Sequence, residues 1–226
     1  LGMEHELVSG VEDAAEGDHD RIKADKHQRY FEQHGRFTAG VGTHYQASVI
    51  TGPATHQGLA TGFVIGTRFH SAPVVRASDA RPVHLGHAGK ADGRWRLYAF
   101  AGAQDLHDEQ TGVRALCRFL AESPDSPVRR YTRAGQDVDA VFDLRAIFQQ
   151  SHRDVAMDAL PPLLLPAKGR YGLLDYEKVF CASPTGNADI FDLRGVDRAQ
   201  GALVIVRPDQ YVAHVLPLDD HAGLTA

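Results

Sequence analysis

The chain is poor in the residues that usually announce chemistry. It holds only two cysteines, Cys117 and Cys181, far apart and without CxxC spacing, so neither a zinc ribbon nor a paired redox motif is written in it. The plain reading is two free thiols in a reducing, cytoplasmic setting, with a bond between them left open. A basic excess is also missing: 24 Lys and Arg face 29 Asp and Glu, for a net charge of −5, which argues against a nucleic-acid partner. No apolar run approaches the ~20 residues a membrane span needs. The opening LGMEHELVSGVEDAAEGDHD is acidic, where a secretory signal is basic and then apolar. Neither GxGxxG between strand and helix nor GxxxxGK[ST] can be read, so no phosphate cradle is visible. What is present, 43% hydrophobic and 23% charged residues in a 226-residue chain, fits one large domain or a domain with an extension. A start at Leu1 fits a fragment, a processed product, or vector residues ahead of Met3.

Three regions follow from composition and period. Residues 1–35 read as an acidic tail and a helix over His19–Gln33 with Gly35 as its C-terminal cap; its thin apolar face suggests packing against something outside this chain. Residues 36–70, with Gly40, Gly42, Gly52, Gly58, Gly62 and Gly66, read as an extended connector over a surface and not as a core element. Residues 71–226 read as an α/β domain.

Within that domain, Val74-Val75 and Pro82–Leu85 flank a turn at Ser78-Asp79 and predict a hairpin. It leads to a buried strand at Arg96–Ala101. Val113, Leu116, Cys117 and Leu120 make one apolar helical face over Asp108–Glu122, with Asp108 as N-cap. Val138–Ala146 alternates, which predicts a half-exposed strand with Asp139, Asp143 and Arg145 on the open side. A short helix over Ser151–Leu160, a strand at Lys178–Ala182 and a helical turn at Ala188–Leu193 follow. Ala202–Val206 is a central strand, Pro208-Asp209 a turn, and Tyr211–Leu216 the returning strand. Asp219 caps a last helix cut off at Ala226. The order hairpin, β, α, β, α, β, β, α is the thioredoxin-like arrangement: a mixed sheet flanked by helices.

In such a fold the working residues follow the first core strand, where a helix N-terminus lowers a cysteine pKa. That edge reads Ala101-Gly102-Ala103-Gln104-Asp105-Leu106-His107-Asp108 and offers no nucleophile. Cys117 falls mid-helix on the apolar face and Cys181 in a strand, positions where cysteine is usually packing. Among the 13 histidines, His84 and His87 are three apart but lack a third ligand at metal spacing, and His214 and His221 lack partners too. Arg94, Arg96, Arg129, Arg130 and Arg133 have the charge to hold an anion, but at this density read first as a solvated or interface face. No catalytic, cofactor-binding or metal-binding residue is assigned.

The segments GTRFHSAPVVRASDARPVHLGHAGKADGRWRLYAFAG (Gly66 to Gly102) and GALVIVRPDQYVAHVLPLDD (Gly201 to Asp220) carry a resemblance. Along roughly residues 30–226 the chain resembles the C-terminal region of FAD-dependent aromatic hydroxylases of the phenol 2-monooxygenase and 3-hydroxybenzoate 4-monooxygenase type. The resemblance implies a thioredoxin-like domain without redox cysteines, engaged in subunit contacts of a homo-oligomer and packed against a flavin-binding domain. FAD and NADPH are implied for the parent enzyme, which would hydroxylate a phenolic compound such as phenol or 3-hydroxybenzoate, and this chain alone would be inactive. Two rivals stand beside it: a free-standing peroxiredoxin-like or thioredoxin-like oxidoreductase using Cys117 or Cys181, and an adaptor that binds a separate flavoprotein.

Overall fold

The computed structural model of the chain describes residues 29–30, 35, 37–106, 110, 112–183 and 188–225. The acidic tail, most of the His19–Gln33 helix and the Asp108 cap lie outside the described residues. Two compact units divide the chain, Leu1–Thr43 and His44–Ala226. In the first, Phe37 and Thr38 are still helical, past Gly35. The Gly40 N–H bonds to the Phe37 carbonyl at 2.9 Å, and φ at Gly40 is 67°. Gly40, not Gly35, is therefore the residue whose left-handed backbone closes that helix.

The second unit is built on a seven-stranded mixed sheet with strand order β2-β1-β7-β4-β3-β8-β9. Its elements are β1 (Pro73–Arg76), β2 (Pro82–His84), β3 (Trp95–Phe100), β4 (Phe142–Phe148), β7 (Val179–Ala182), β8 (Ala202–Val206) and β9 (Val212–Leu216). A separate two-stranded ribbon pairs β5 (Ala167–Lys168) with β6 (Leu173–Leu174). The helices are α1 (Leu85–Ala88), α2 (Gly112–Glu122), α3 (Pro127–Tyr131), α4 (Ile190–Leu193) and α5 (His221–Thr225). Strand β3 is the axis: it runs parallel to β4, with Tyr98 opposite Arg145, and antiparallel to β8, with Tyr98 opposite Val204. The expected plan of hairpin, β3, α2, β4, α4, β8, β9 and α5 is the observed one, with β7 inserted between the hairpin and β4.

Both faces of the sheet are covered. Leu97, Ala99, Leu144 and Ala146 meet the α2 stripe of Val113, Leu116, Cys117 and Leu120, the stripe that the 3.6 period predicted. Tyr98, Phe100, Ile147 and Phe180 face the other way. What covers them corrects the surface-connector expectation for residues 36–70: Ala60, Phe63, Ile65 and Phe69 from this glycine-rich stretch are core residues. Phe63 stacks on Phe69 at 4.9 Å, and Phe69 on Tyr98 at 4.8 Å. Glycine lets this backbone lie close to its neighbours. At Gly62, for example, an added Cβ would come within 2.7 Å of the Arg194 backbone.

Three further expectations are corrected. Strand β4 is buried along nearly its whole length, and Asp143 and Arg145 are buried with it, paired with each other and, through Asp143, with Arg96 and Lys178 from the neighbouring segments. Of the expected Ser151–Leu160 helix only a single 3-10 turn, Met157–Ala159, is present; Leu160, ahead of Pro161, is held extended, and a second 3-10 turn follows at Pro162–Leu164. At the last helix Asp220, not Asp219, supplies the cap: its Oδ1 accepts from Gly223 N at 2.8 Å.

Candidate functional site

In an open α/β sheet, ligands bind outside the carboxyl ends of the parallel strands, so the ends of β3 and β4 are the first place to look. Here that edge is filled by the chain itself. After β3 the Asp105 carboxylate folds back to accept from Gly102 N at 2.8 Å, and it packs against the start of α2. Gly112 has φ 55°, and a Cβ there would sit 2.0 Å from Asp105 Oδ1. After β4, Gln149 Nε2 donates to the carbonyls of Ala101 at 2.9 Å and Arg198 at 2.7 Å. The chain from Arg198 to Gly201 closes over the gap, so that a Cβ on Gly102 would lie 2.7 Å from the Ala199 carbonyl oxygen.

The two thiols are elsewhere. Cys117 sits in the α2 stripe and Cys181 in β7, both buried. Burial pushes each thiol up to about 12, with Arg114 pulling weakly against it at Cys117 and Asp154 adding to it at Cys181. Thiol chemistry needs the thiolate, and at neutral pH neither site holds an appreciable amount of it. His84 and His87 lie with rings 5.4 Å apart in a cleft of about 470 Å³ beside Arg76, Arg81 and Lys90. Among the described residues no three His, Cys, Asp or Glu side chains converge as metal ligands would. His214 is half-buried against Gly52, and burial holds its pKa below the usual histidine value. His221 stacks on Phe119 at 4.1 Å.

The opposite edge, at the amino ends of β3, β4 and β7, holds a buried charge cluster that the sequence reading missed. Arg96 is 1% exposed; its Nε lies 3.1 Å from Asp143 Oδ2 and its Nη2 2.7 Å from Asp92 Oδ1. Arg145 Nε reaches Asp143 Oδ2 at 2.9 Å. Lys178, also 1% exposed, donates to Asp143 Oδ1 and to Asp139 Oδ2. Asp139 further accepts from Arg94 at 3.0 Å and Lys168 at 2.9 Å. Burial works against ionisation of Asp143, but Arg145, Lys178 and Arg96 outweigh it and hold its pKa at about 2. Asp139 is likewise held below the usual carboxylate range, burial being overcome by Lys178 and Lys168. Of the arginines read from sequence as a solvated or interface face, Arg94 and Arg96 thus belong to this cluster, whereas Arg129 and Arg130 are exposed.

The cluster anchors an unusual surface feature. Lys168, bonded to Asp139 and to Asp175 at 3.2 Å, is in β5, and Gly169 N donates to Asp137 Oδ1 at 2.8 Å. Across the turn, Gly169 and Gly172 take positive φ of 65° and 62°, as tight hairpin turns demand. The β5–β6 hairpin is thereby fixed at its root while its apolar residues face outward: Tyr171 is 72% exposed, Leu173 70%, Leu174 49% and Tyr176 47%. The Arg170 guanidinium lies 4.4 Å from the centre of the Tyr171 ring. Beside the hairpin root, a groove of about 540 Å³ runs between α2 (Arg114, Ala121, Glu122) and the segment Pro161, Leu163 and Pro166. Clustered exposed apolar side chains of this kind mark an interaction surface. In sequence the only local sign was the Gly-Arg-Tyr-Gly-Leu-Leu run at 169–174.

The phenol hydroxylase C-terminal dimerisation domain family matches residues 43–226. A 3-hydroxybenzoate 4-monooxygenase of Comamonas testosteroni is 63% identical over 94% of this chain and 34% of its own length. An FAD-dependent monooxygenase, terD, of Aspergillus terreus is 33% identical over 84% of this chain and 31% of its own. The chain therefore spans about a third of the length of these curated relatives. Among solved structures, the exposed lipoprotein thioredoxin Etrx1 of Streptococcus pneumoniae aligns at 16% identity with a TM-score of 0.31, covering 66% of this chain and 89% of that one.

Proposed function

The chain belongs to the phenol hydroxylase C-terminal dimerisation domain family, and on that premise we propose that it is the non-catalytic, subunit-contacting end of a flavin-dependent monooxygenase acting on a phenolic compound such as phenol or 3-hydroxybenzoate. FAD and NADPH would be used by the part of the longer protein that precedes it. The observation that carries this reading is the β3–β4 carboxyl edge, where among the described residues the chain's own Asp105, Gln149 and Arg198–Gly201 bond to and pack against one another.

The residues present do not fit a flavin. A dinucleotide's pyrophosphate needs a helix N-terminus with open backbone donors, and the start of α2 is instead packed against the Asp105 carboxylate, which would repel it. No step of an oxygenation is therefore assigned to this chain. The thiol-redox alternative is disfavoured by two buried cysteines with pKa values of about 12.

The test has two arms on the purified chain. With added FAD and NADPH, no hydroxylation of phenol or 3-hydroxybenzoate is expected, and turnover would overturn the non-catalytic role. Sedimentation velocity should find a dimer at micromolar concentration. A chain that stays monomeric at hundreds of micromolar would overturn the contact role.

A further inference from the structure

We propose that the contact is made by the β5–β6 hairpin of one copy seating in the α2 groove of a second copy, and reciprocally. The proposal rests on the subunit-contact reading above and names its surface and its partner.

Three observations converge on it. The first is area. Tyr171 and Tyr176, 72% and 47% exposed, leave roughly 180–300 Å² in water on the usual ~150–250 Å² per buried aromatic. Leu173 and Leu174, 70% and 49% exposed, add apolar surface on the two opposite faces of the ribbon. Monomeric proteins seldom expose contiguous apolar surface of more than a few hundred Å², and a standard interface covers about 800 Å² per partner. The two tyrosines alone fall short of that figure, so the contact would take in the groove beside them as well.

The second is shape. A two-fold contact must be self-complementary, with projection and recess on the same patch. Here Pro166 and Ala167 line the groove and also form the root of the hairpin, so a knob and a hole stand side by side. At about 540 Å³ the groove is in the range that takes a bulky organic group.

The third is rigidity. A two-stranded ribbon is marginal alone, and both its edges are open to pairing. This one is pinned by Lys168 to Asp139 and Asp175, and by Gly169 to Asp137. Its tip is presented in a set conformation, which lowers the ordering cost of association.

The experiment uses the chain carrying one new cysteine at a time, with Cys117 and Cys181 silent because they are buried. Tyr171→Cys and Ala121→Cys proteins are mixed and treated with a short bismaleimide. Covalent heterodimer in the mixture, well above homodimer from either protein alone, is the expected result. In parallel, Leu173→Asp on the hairpin and Ala121→Trp in the groove should each weaken the wild-type dimer at least tenfold in sedimentation, with unchanged circular dichroism and melting. Both positions are exposed, so folding is not at stake. A dimer indifferent to both changes and not captured by the linker overturns this inference while the subunit-contact reading stands. A wild-type chain that never dimerises overturns both, including the case in which the hairpin is covered by the rest of the longer protein.

Discussion

Replacing Asp143 with Asn tests whether the charge cluster at the amino ends of β3, β4 and β7 works as an integral part of the fold. The change keeps the side chain's shape and removes one charge. The cluster joins five cations (Arg94, Arg96, Arg145, Lys168, Lys178) to four carboxylates (Asp92, Asp139, Asp143, Asp175). Asp143 is the member that touches Arg96, Arg145 and Lys178 together. Its loss takes a carboxylate from all three: Arg96 keeps Asp92 and Lys178 keeps Asp139, while the buried Arg145 loses the carboxylate that its Nε bonds. Breaking a buried pair from one side costs about 3–5 kcal/mol, a large share of a domain stability of about 5–15 kcal/mol. For a chain of this size that is a fall in Tm of roughly 6–20 °C. Urea titration should show a lower midpoint at unchanged slope.

The pH dependence gives an independent check. With a folded pKa of about 2 against about 3.9 unfolded, Asp143 contributes stability that is fully present above pH ~4 and lost as pH falls through about 2. The contribution is about 2–3 kcal/mol. The wild type should weaken through that window, and the Asn variant should weaken less steeply. A loss under about 1 kcal/mol in the variant, with an unchanged acid slope, would mean the cluster is screened like a surface pair, and the argument from burial would fail.

Two other outcomes follow from the same geometry. Cys117 and Cys181 should resist a thiol reagent such as Ellman's in the native chain at pH 8 and react fully in 6 M guanidinium, whereas prompt native reaction of either would contradict burial with pKa values of about 12. Gly112→Ala should cost at least about 2 kcal/mol, because φ is 55° and the new methyl would fall 2.0 Å from Asp105 Oδ1; a neutral result would show that the Asp105 turn yields freely.

Much of the sheet was legible because its signals are local. The hairpin β1–β2, the run Trp95–Phe100, the α2 stripe and the β8–Pro208–β9 return are each set by period or turn chemistry within a dozen residues. The misreadings share one cause. Asp143 and Arg145 alternate with apolar neighbours, as residues on a solvent face do. They are buried because Arg96 on β3 and Lys178 at the start of β7, 35 positions beyond Asp143, pair from neighbouring strands with Asp143, which in turn holds Arg145. The glycine-rich stretch reads as a connector because Ala60, Phe63, Ile65 and Phe69 follow no period. Each is placed singly, by the surface it lands on.

Composition and periodicity alone determined the α/β class, the strand and helix runs that make the core, and the lack of a nucleophile after the first inner strand, because each depends on neighbours along the chain. Only the tertiary structure decided which charges lie inside, what fills the carboxyl edge and which apolar side chains are left facing water. Those outcomes depend on surfaces contributed by distant segments, and a side chain's solvation is set by what is packed against it.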